Sequence, residues 1–376
     1  MKRRILISVD WFPPAFRAGG PIRSSFNLAA FLSAQWEVWV MTSNKDLGAD
    51  QILDVPVDVW TDVPAGSNTL CVRYNSAVNV ATWDRVLQEV RPDAVHLNSL
   101  FSQDYTLLPL RRLRKKPHVR VVLAPRGMLG QAALSIKPFK KRMFLALARG
   151  MGWMDGVLWH ASTDQEAYEV RCAFPRARVH VAQNLPSPFP AENPERPVDV
   201  WHIVVVGRVH RVKNLHFGLR ALLRAESDRR VCVDFIGPME DAGYKQELEH
   251  LAQTNPIAEV TFLGGVPPSE LPRYFHSAHY LLSSTTQENF GHAIVEAWAH
   301  GCPVLISDCT PWRDLEARGI GWDWPLEDAA WDAGLKRALN LNPSEWKGMS
   351  KASRRFFSEQ VTNSESEQAN LALFEP

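Results

Sequence analysis

The sequence predicts an α/β protein built from two units, each a parallel β-sheet with helices on both faces. Short, near-continuous apolar runs alternate with helical segments along most of the 376 residues, as strands buried on both faces do. Near the middle, Pro186–Asp199 carries five prolines and no periodicity, the composition of a linker. The alternation then restarts, and a chain of this length fits two domains.

The first strand is ILISV (Ile5–Val9), followed by a loop and the amphipathic run Ser24–Ala34. The strands VWVMT (Val38–Thr42), AVHL (Ala94–Leu97), VRVVLA (Val119–Ala124), GVLWHAS (Gly156–Ser162) and VHVAQN (Val179–Asn184) complete the first half. The second half reads WHIVVVG (Trp201–Gly207), VCVDFIG (Val231–Gly237), VTFLG (Val260–Gly264), YLLSS (Tyr280–Ser284) and PVLIS (Pro303–Ser307). A polar helical tail runs from about Ser344 to Leu373. The predicted organisation is residues 1–185, a linker 186–199, residues 200–350, and a C-terminal helix 351–376.

Composition narrows the function. Hydrophobic residues make up 45% and the net charge is +1, so nothing marks the whole chain as a binder of polyanions. The charge is uneven: residues 1–190 hold 24 Lys and Arg against 15 Asp and Glu, the remainder 18 against 26. Five scattered cysteines form no C-x-x-C pair, which argues against a disulfide framework or a zinc site and for reduced thiols in a cytoplasmic protein. The basic start MKRRILISVD has too short an apolar run for a signal peptide.

In open parallel sheets, ligands sit beyond the carboxyl ends of the strands. After the first strand, Gly19-Gly20-Pro21 gives a turn that lets backbone approach a ligand. Neither G-x-G-x-x-G nor a P-loop follows any strand, which removes the main support for a dinucleotide oxidoreductase or P-loop enzyme. After WHIVVVG come Arg208 and Lys213, a pair of cations suited to a diphosphate. After YLLSS, the turn Glu288-Asn289-Phe290-Gly291 leads into a helix from about His292 to His300, with Ala293, Ile294, Ala297 and Trp298 as its buried stripe. Gly301 is placed to cap it and Pro303 to stop it. Glu288 in the turn and Glu296 within the helix are carboxylates of the kind that accept hydrogen bonds from sugar hydroxyls. Taken singly, a basic loop is equally a solvated one, and glutamates near a helix start equally complement its dipole.

Together, GR-x4-K (Gly207–Lys213) and E-x7-E (Glu288–Glu296) resemble the donor site of GT-B retaining glycosyltransferases of the family 4 type, the group 1 enzymes of bacterial surface polysaccharide biosynthesis. WFPP and GGP near the start, PDAVHLN (Pro92–Asn98), APRGMLG (Ala124–Gly130) and ENFGHAIVEAWAHGCPVLISD extend the resemblance over essentially the whole chain. The resemblance implies two Rossmann-like, doubly wound domains facing a central cleft, with a C-terminal helix crossing back to the first. The N-terminal domain would bind the acceptor and the C-terminal domain the nucleotide-sugar.

By the same resemblance, Arg208 and Lys213 hold the donor diphosphate, Glu288 the hydroxyls of the transferred sugar, and Glu296 the ribose. The backbone of Asn289, Phe290 and Gly291 cradles sugar and phosphate, and Gly19 and Gly20 approach the donor. Arg126 stands where many relatives carry a histidine; it can supply positive charge at the reaction centre or to an acceptor phosphate but cannot act as a base. The implied activity is metal-independent hexosyl transfer, with the nucleotide-sugar as co-substrate and no cofactor. The acceptor would be a glycan or a lipid-linked glycan, with no nucleic acid involved. The basic segments RRLRKK (Arg111–Lys116) and KPFKKRMFLALAR (Lys137–Arg149) suggest peripheral contact with the anionic inner face of the cytoplasmic membrane. Two other readings use the same architecture: a sugar-nucleotide epimerase or hydrolase, and a catalytically silent partner of a polysaccharide assembly complex. Nucleotide base, sugar, acceptor and linkage are not encoded in these motifs.

Overall fold

The computed structural model describes residues 2–187, 196, 199–253 and 258–375. Most of the expected linker, 188–195 and 197–198, lies outside the described residues. The chain divides into two compact units, one of residues 1–185 with 364–376 and one of residues 186–363.

The first unit carries β1 (Arg4–Ser8), β2 (Glu37–Ser43), β3 (Trp60–Ala65), β4 (Asn68–Asn75), β5 (Ala94–Asn98), β6 (Arg120–Ala124), β7 (Leu158–Ala161) and β8 (Arg178–Val181). Among the described residues they pair in the order β3-β4-β2-β1-β5-β6-β7-β8, and every pair except β3–β4 is parallel. Alternate residues feed opposite layers: Ile5 and Ile7 pack with Leu28 and Leu32 on one face, Leu6 with Val86 and Leu97 on the other. Both faces are therefore covered, as the apolar runs require. The last helix, Ser364–Ala372, belongs to this unit. Arg120 Nε donates to the Leu373 carbonyl at 2.6 Å, Asn370 Nδ2 to the Gln183 carbonyl at 2.8 Å, and Phe374 is buried among Trp36 and His96.

The second unit carries β9 (Val200–Val206), β10 (Arg230–Ile236), β11 (Ala258–Gly264), β12 (Tyr280–Ser283), β13 (Val304–Ser307) and β14 (Gly321–Trp324). They form a parallel sheet in the order β11-β10-β9-β12-β13-β14. Trp201, Ile203 and Val205 enter one core and Val204 the other. The chain passes from β9 to β10 on one side and from β12 to β13 on the other, so the switch point of this doubly wound sheet lies between β9 and β12.

Three differences from the sequence reading stand out. The hairpin β3–β4 and strand β14 were not foreseen: β3 is an edge strand with Asp62 and Pro64, and β14 is the four-residue GWDW. Proline is tolerated at a sheet edge, so its presence hid the strand. The first helix spans Gly20–Leu32, starting four residues before Ser24. The segment returning to the first unit begins at Ser364 and not at 351, because the helix Pro343–Phe356 and the turn Phe357–Val361 pack in the second unit with Trp298.

Candidate active site

The ends of β9 and β12 bring two of the predicted residues, Lys213 and Glu288, together in the second unit. Behind β9, His210 caps a short 3-10 turn, Arg211–Lys213, by accepting from the Val212 amide, and Asn214 takes a left-handed φ of 51° to start the next helix. Behind β12, Ser284 Oγ donates to the Asn214 carbonyl at 2.8 Å and accepts from the Gly218 amide at 3.2 Å. Thr286 Oγ1 donates to the Val212 carbonyl at 3.3 Å. These bonds stitch the two loops across the switch point and place Lys213 against Glu288. Lys213 Nζ donates to Glu288 Oε2 at 2.6 Å, both side chains about three-quarters buried.

Two glycines lie against this pair. A Cβ on Gly207 would meet only Lys213 Cε, at 3.9 Å, so the lysine stem lies over the end of β9. A Cβ on Gly291 would meet Glu288 Cγ at 3.4 Å and Ile294 Cδ1 at 2.8 Å. Gly291 also has φ +77° at the head of the helix His292–Ala299, a conformation that favours glycine. Asn289 and Phe290 complete the turn; the Phe290 carbonyl accepts from Trp312 Nε1 at 2.5 Å. The helix ends in a Schellman motif, with Gly301 N bonding to Trp298 O and Cys302 N to Ala297 O. Its stripe of Ile294, Ala297 and Trp298 is buried, whereas Ala293 is partly exposed.

Two predicted residues have more specific settings than the sequence suggested. Arg208 is turned to the β10 side of β9, where its Nη1 donates to Glu240 at 3.0 Å. Glu296 lies in the second turn of the helix, only 5% exposed, roughly 6 Å along the axis from His292.

In the first unit, the loops behind β1, β5 and β6 hold a second polar cluster. Gly19, φ +65°, heads the helix that begins at Gly20 and has open space around it. Arg126 and Gly127 both take left-handed conformations, with φ of 56° and 72°. Asn98 Oδ1 accepts from Arg126 Nε and Nη2 at 3.0 and 2.8 Å, and Asn184 Oδ1 accepts from Nη1 at 2.6 Å. Three of the five guanidinium N–H groups are thus engaged, and two have no acceptor among the described residues. Burial pulls the Arg126 pKa down to about 10, which leaves it charged at neutral pH. Behind it, His160 Nε2 bonds to the Ala182 carbonyl at 2.9 Å, and its Nδ1 lies 3.2 Å from His96 Nε2. His160 therefore donates through Nε2 and accepts through Nδ1. Burial first, then the neighbouring charge, holds both imidazoles far below their usual pKa and neutral. Glu166 bonds the Gly127 amide at 2.6 Å and Ser162, bracing the Arg126 turn.

Asp10 and Ser102 were missed by the sequence reading, although both follow strands and the strand-end rule would have found them. Ser102 Oγ donates to Asp10 Oδ1 at 2.7 Å across the switch point between β1 and β5. Burial, opposed by that hydrogen bond, raises the Asp10 pKa to about 6 from 3.8. A raised carboxylate favours folding in its protonated form, so the advantage is complete below pH 4 and is lost as pH rises through 6. Asp10→Asn keeps the acceptor for Ser102 and is expected to stabilise the protein by about 1–3 kcal/mol at pH 8 with no gain at pH 4. Chemical denaturation at the two pH values reads it; equal stabilities at pH 8 contradict it.

A hollow of about 510 Å³ lined by Lys2, Ser33, Glu37 and Cys71 lies at the amino ends of β2 and β4, the wrong end of the sheet for the chemistry above.

Two α/β units in one chain, each built on a largely parallel sheet, are the architecture of GT-B glycosyltransferases. Sucrose-phosphate synthase from Thermosynechococcus elongatus has the same fold, with TM-score 0.75 and 17% identity over 99% of this chain and 97% of that one. So does Anabaena HepE, solved with UDP and glucose, with TM-score 0.70 and 13% identity over 99% and 98%. The family model for glycosyl transferases group 1 matches residues 191–354, and that for the glycosyl transferase 4-like domain matches residues 19–184. The chain belongs to the group 1 glycosyltransferases. Among curated relatives, the sulfoquinovosyl transferase SQD2 of Arabidopsis thaliana is 26% identical over 334 residues, 81% of this chain and 59% of that protein. The curated relatives it matches are covered for between 24% and 63% of their own lengths. No described helix is long and apolar enough to cross a membrane.

Proposed function

We propose that this protein is a retaining, metal-independent hexosyltransferase of bacterial polysaccharide biosynthesis. It would take the sugar from a nucleotide-diphosphate-sugar, held by the second unit, to a glycan or lipid-linked acceptor on the first. The observation that carries the reading is the Lys213–Glu288 pair at the switch point, 2.6 Å apart. The similarity to HepE, solved with UDP and glucose, supports a sugar-nucleotide donor.

The chemistry follows from charge. As the bond from the anomeric carbon to the diphosphate oxygen breaks, its electron pair goes to the diphosphate and positive charge grows on the sugar. Lys213 keeps two N–H groups for phosphate oxygens while Glu288 fixes its position. Arg208 exchanges Glu240 for the diphosphate and forks to two oxygens. Glu288 also accepts from sugar hydroxyls, Glu296 from the ribose, and the Asn289–Gly291 backbone cradles the sugar. The acceptor oxygen bonds to the anomeric carbon on the face the diphosphate leaves. Its proton passes to a diphosphate oxygen, so no protein nucleophile is needed. Arg126 presents its two remaining N–H groups to an anionic part of the acceptor. We place the enzyme in the cytoplasm, in peripheral contact with the membrane.

The anomeric configuration of the product, read by NMR, tests this. Retained configuration at full rate in EDTA is expected. Inverted product, or donor isomerised in the absence of acceptor, overturns it.

A further inference from the structure

The helix Pro138–Gly150 has two apolar faces, and only one is used by the fold. Ala148 is buried, Leu145 packs against the core, and Phe144 sits between Phe101 and Trp153 at ring distances of 5.5 and 5.9 Å. On the opposite side Phe139, Met143 and Leu147 recur every fourth residue and are 77%, 51% and 48% exposed. Ile136 before the helix and Met151 after it extend the stripe, at 51% and 60% exposed. Five of the ten large apolar side chains that stand exposed among the described residues therefore fall within sixteen residues. Scattered exposed apolar residues need no explanation, but a contiguous stripe does.

Charge identifies what covers it. From Tyr105 to Met154 the chain has twelve Lys and Arg and not one Asp or Glu. At 100° per residue, Arg142 and Arg149 flank the stripe on one side and Lys140 on the other, and all three are exposed. At the far end, Arg111 lies 5.5 Å over the Trp153 ring, with Arg114 lining the same hollow. An apolar stripe bordered by long cationic side chains suits an anionic bilayer surface: the apolar groups enter the acyl boundary and the cations reach the phosphates. The helix is about 20 Å long, too short to span a bilayer core of about 30 Å, so it lies in the plane.

We infer that the outward face of Pro138–Gly150 docks the first unit on an anionic lipid surface, with Phe139, Met143 and Leu147 inserted and Lys140, Arg142 and Arg149 at the headgroups. This deepens the peripheral membrane contact proposed above by naming the surface, and its test requires no sugar transfer. The full chain is co-sedimented at low salt with vesicles of phosphatidylcholine alone and of phosphatidylcholine mixed with phosphatidylglycerol.

Wild type is expected to bind the mixed vesicles at least about tenfold better than the neutral ones, as follows from roughly 1 kcal/mol per basic residue near such a surface. Phe139→Ser with Leu147→Ser is expected to weaken binding at least about tenfold, given the apolar surface withdrawn from the lipid. Lys140→Glu with Arg149→Glu should remove the preference for anionic lipid. All four side chains are exposed, so folding is not at stake, and Glu288→Ala should sediment as wild type even though transfer is lost. Equal binding of wild type to both vesicles overturns the inference. So does wild-type binding by the serine variant. A dimer in solution that the serine variant dissociates, with vesicle binding unchanged, would assign the stripe to a second copy of the chain and overturn it as well.

Discussion

Lys213→Ala is expected to lower the turnover of sugar transfer at least about a hundredfold, and Glu288→Ala by a similar factor. Removal of one preorganised group from a developing charge costs about 3–4 kcal/mol of barrier. For Lys213 the loss has two parts. The diphosphate leaves without a cation at its oxygens, and Glu288, now without its partner at 2.6 Å, places negative charge beside it. Glu288→Ala removes both the acceptor for sugar hydroxyls and the group that fixes Lys213. Because the two side chains act as one unit, the double variant should be hardly worse than the poorer single variant. Steady-state rates of the three variants check this. Near wild-type turnover in both single variants, or simple multiplication of their effects, contradicts it.

The second large effect is on the fold that holds the site. Gly207 and Gly237 end β9 and β10 with φ of +150° and +153°, and the Gly237 amide bonds to Gly264 O at 2.8 Å. A Cβ on Gly237 would fall within the backbone carbonyl of Gly207. A backbone group cannot swing aside as a flexible side chain can, so the two strand ends must part. Gly237→Ala is expected to cost several kcal/mol of stability, and Arg208, which follows Gly207, should lose its place with the strand end. Gly348 provides the contrast. It sits exposed inside the helix Pro343–Phe356 with nothing near its Cβ position, so Gly348→Ala should stabilise by up to about 1 kcal/mol. Chemical denaturation of both variants reads the difference, and a Gly237→Ala protein as stable as wild type contradicts this reading.

Much of the fold was legible because buried parallel strands announce themselves as apolar runs. The strands from Ile5 and Trp201 onward fell where those runs lie, and the helix after Gly291 ended at its glycine cap. What escaped was polar or short. The β3–β4 hairpin turns through Gly66-Ser67, but Pro64 and Asp62 disguise its edge strand. The helix at Gly20 begins on glycine and proline without a side-chain cap, so no capping residue marks its start.

The candidate site was legible where spacing carried it and obscure where partners come from distant loops. Lys213 and Glu288 were both expected, and the side chains of Ser284 and Thr286 explain how their loops meet. The Arg208–Glu240 pair depends on the register of β9 against β10, which no local pattern encodes. The same holds for the clamp of Asn98 and Asn184 on Arg126, whose members are 28 and 58 residues from it in sequence.

The most direct measurement of the central claim is calorimetric titration of UDP-, GDP- and ADP-sugars into wild type and Lys213→Ala. One of these donors should bind wild type, and the variant should bind it at least about tenfold more weakly, as expected for loss of a charge-assisted hydrogen bond in a largely buried site. If no nucleotide-sugar binds, or if the variant binds it as well as wild type does, the second unit does not grip its donor through Lys213.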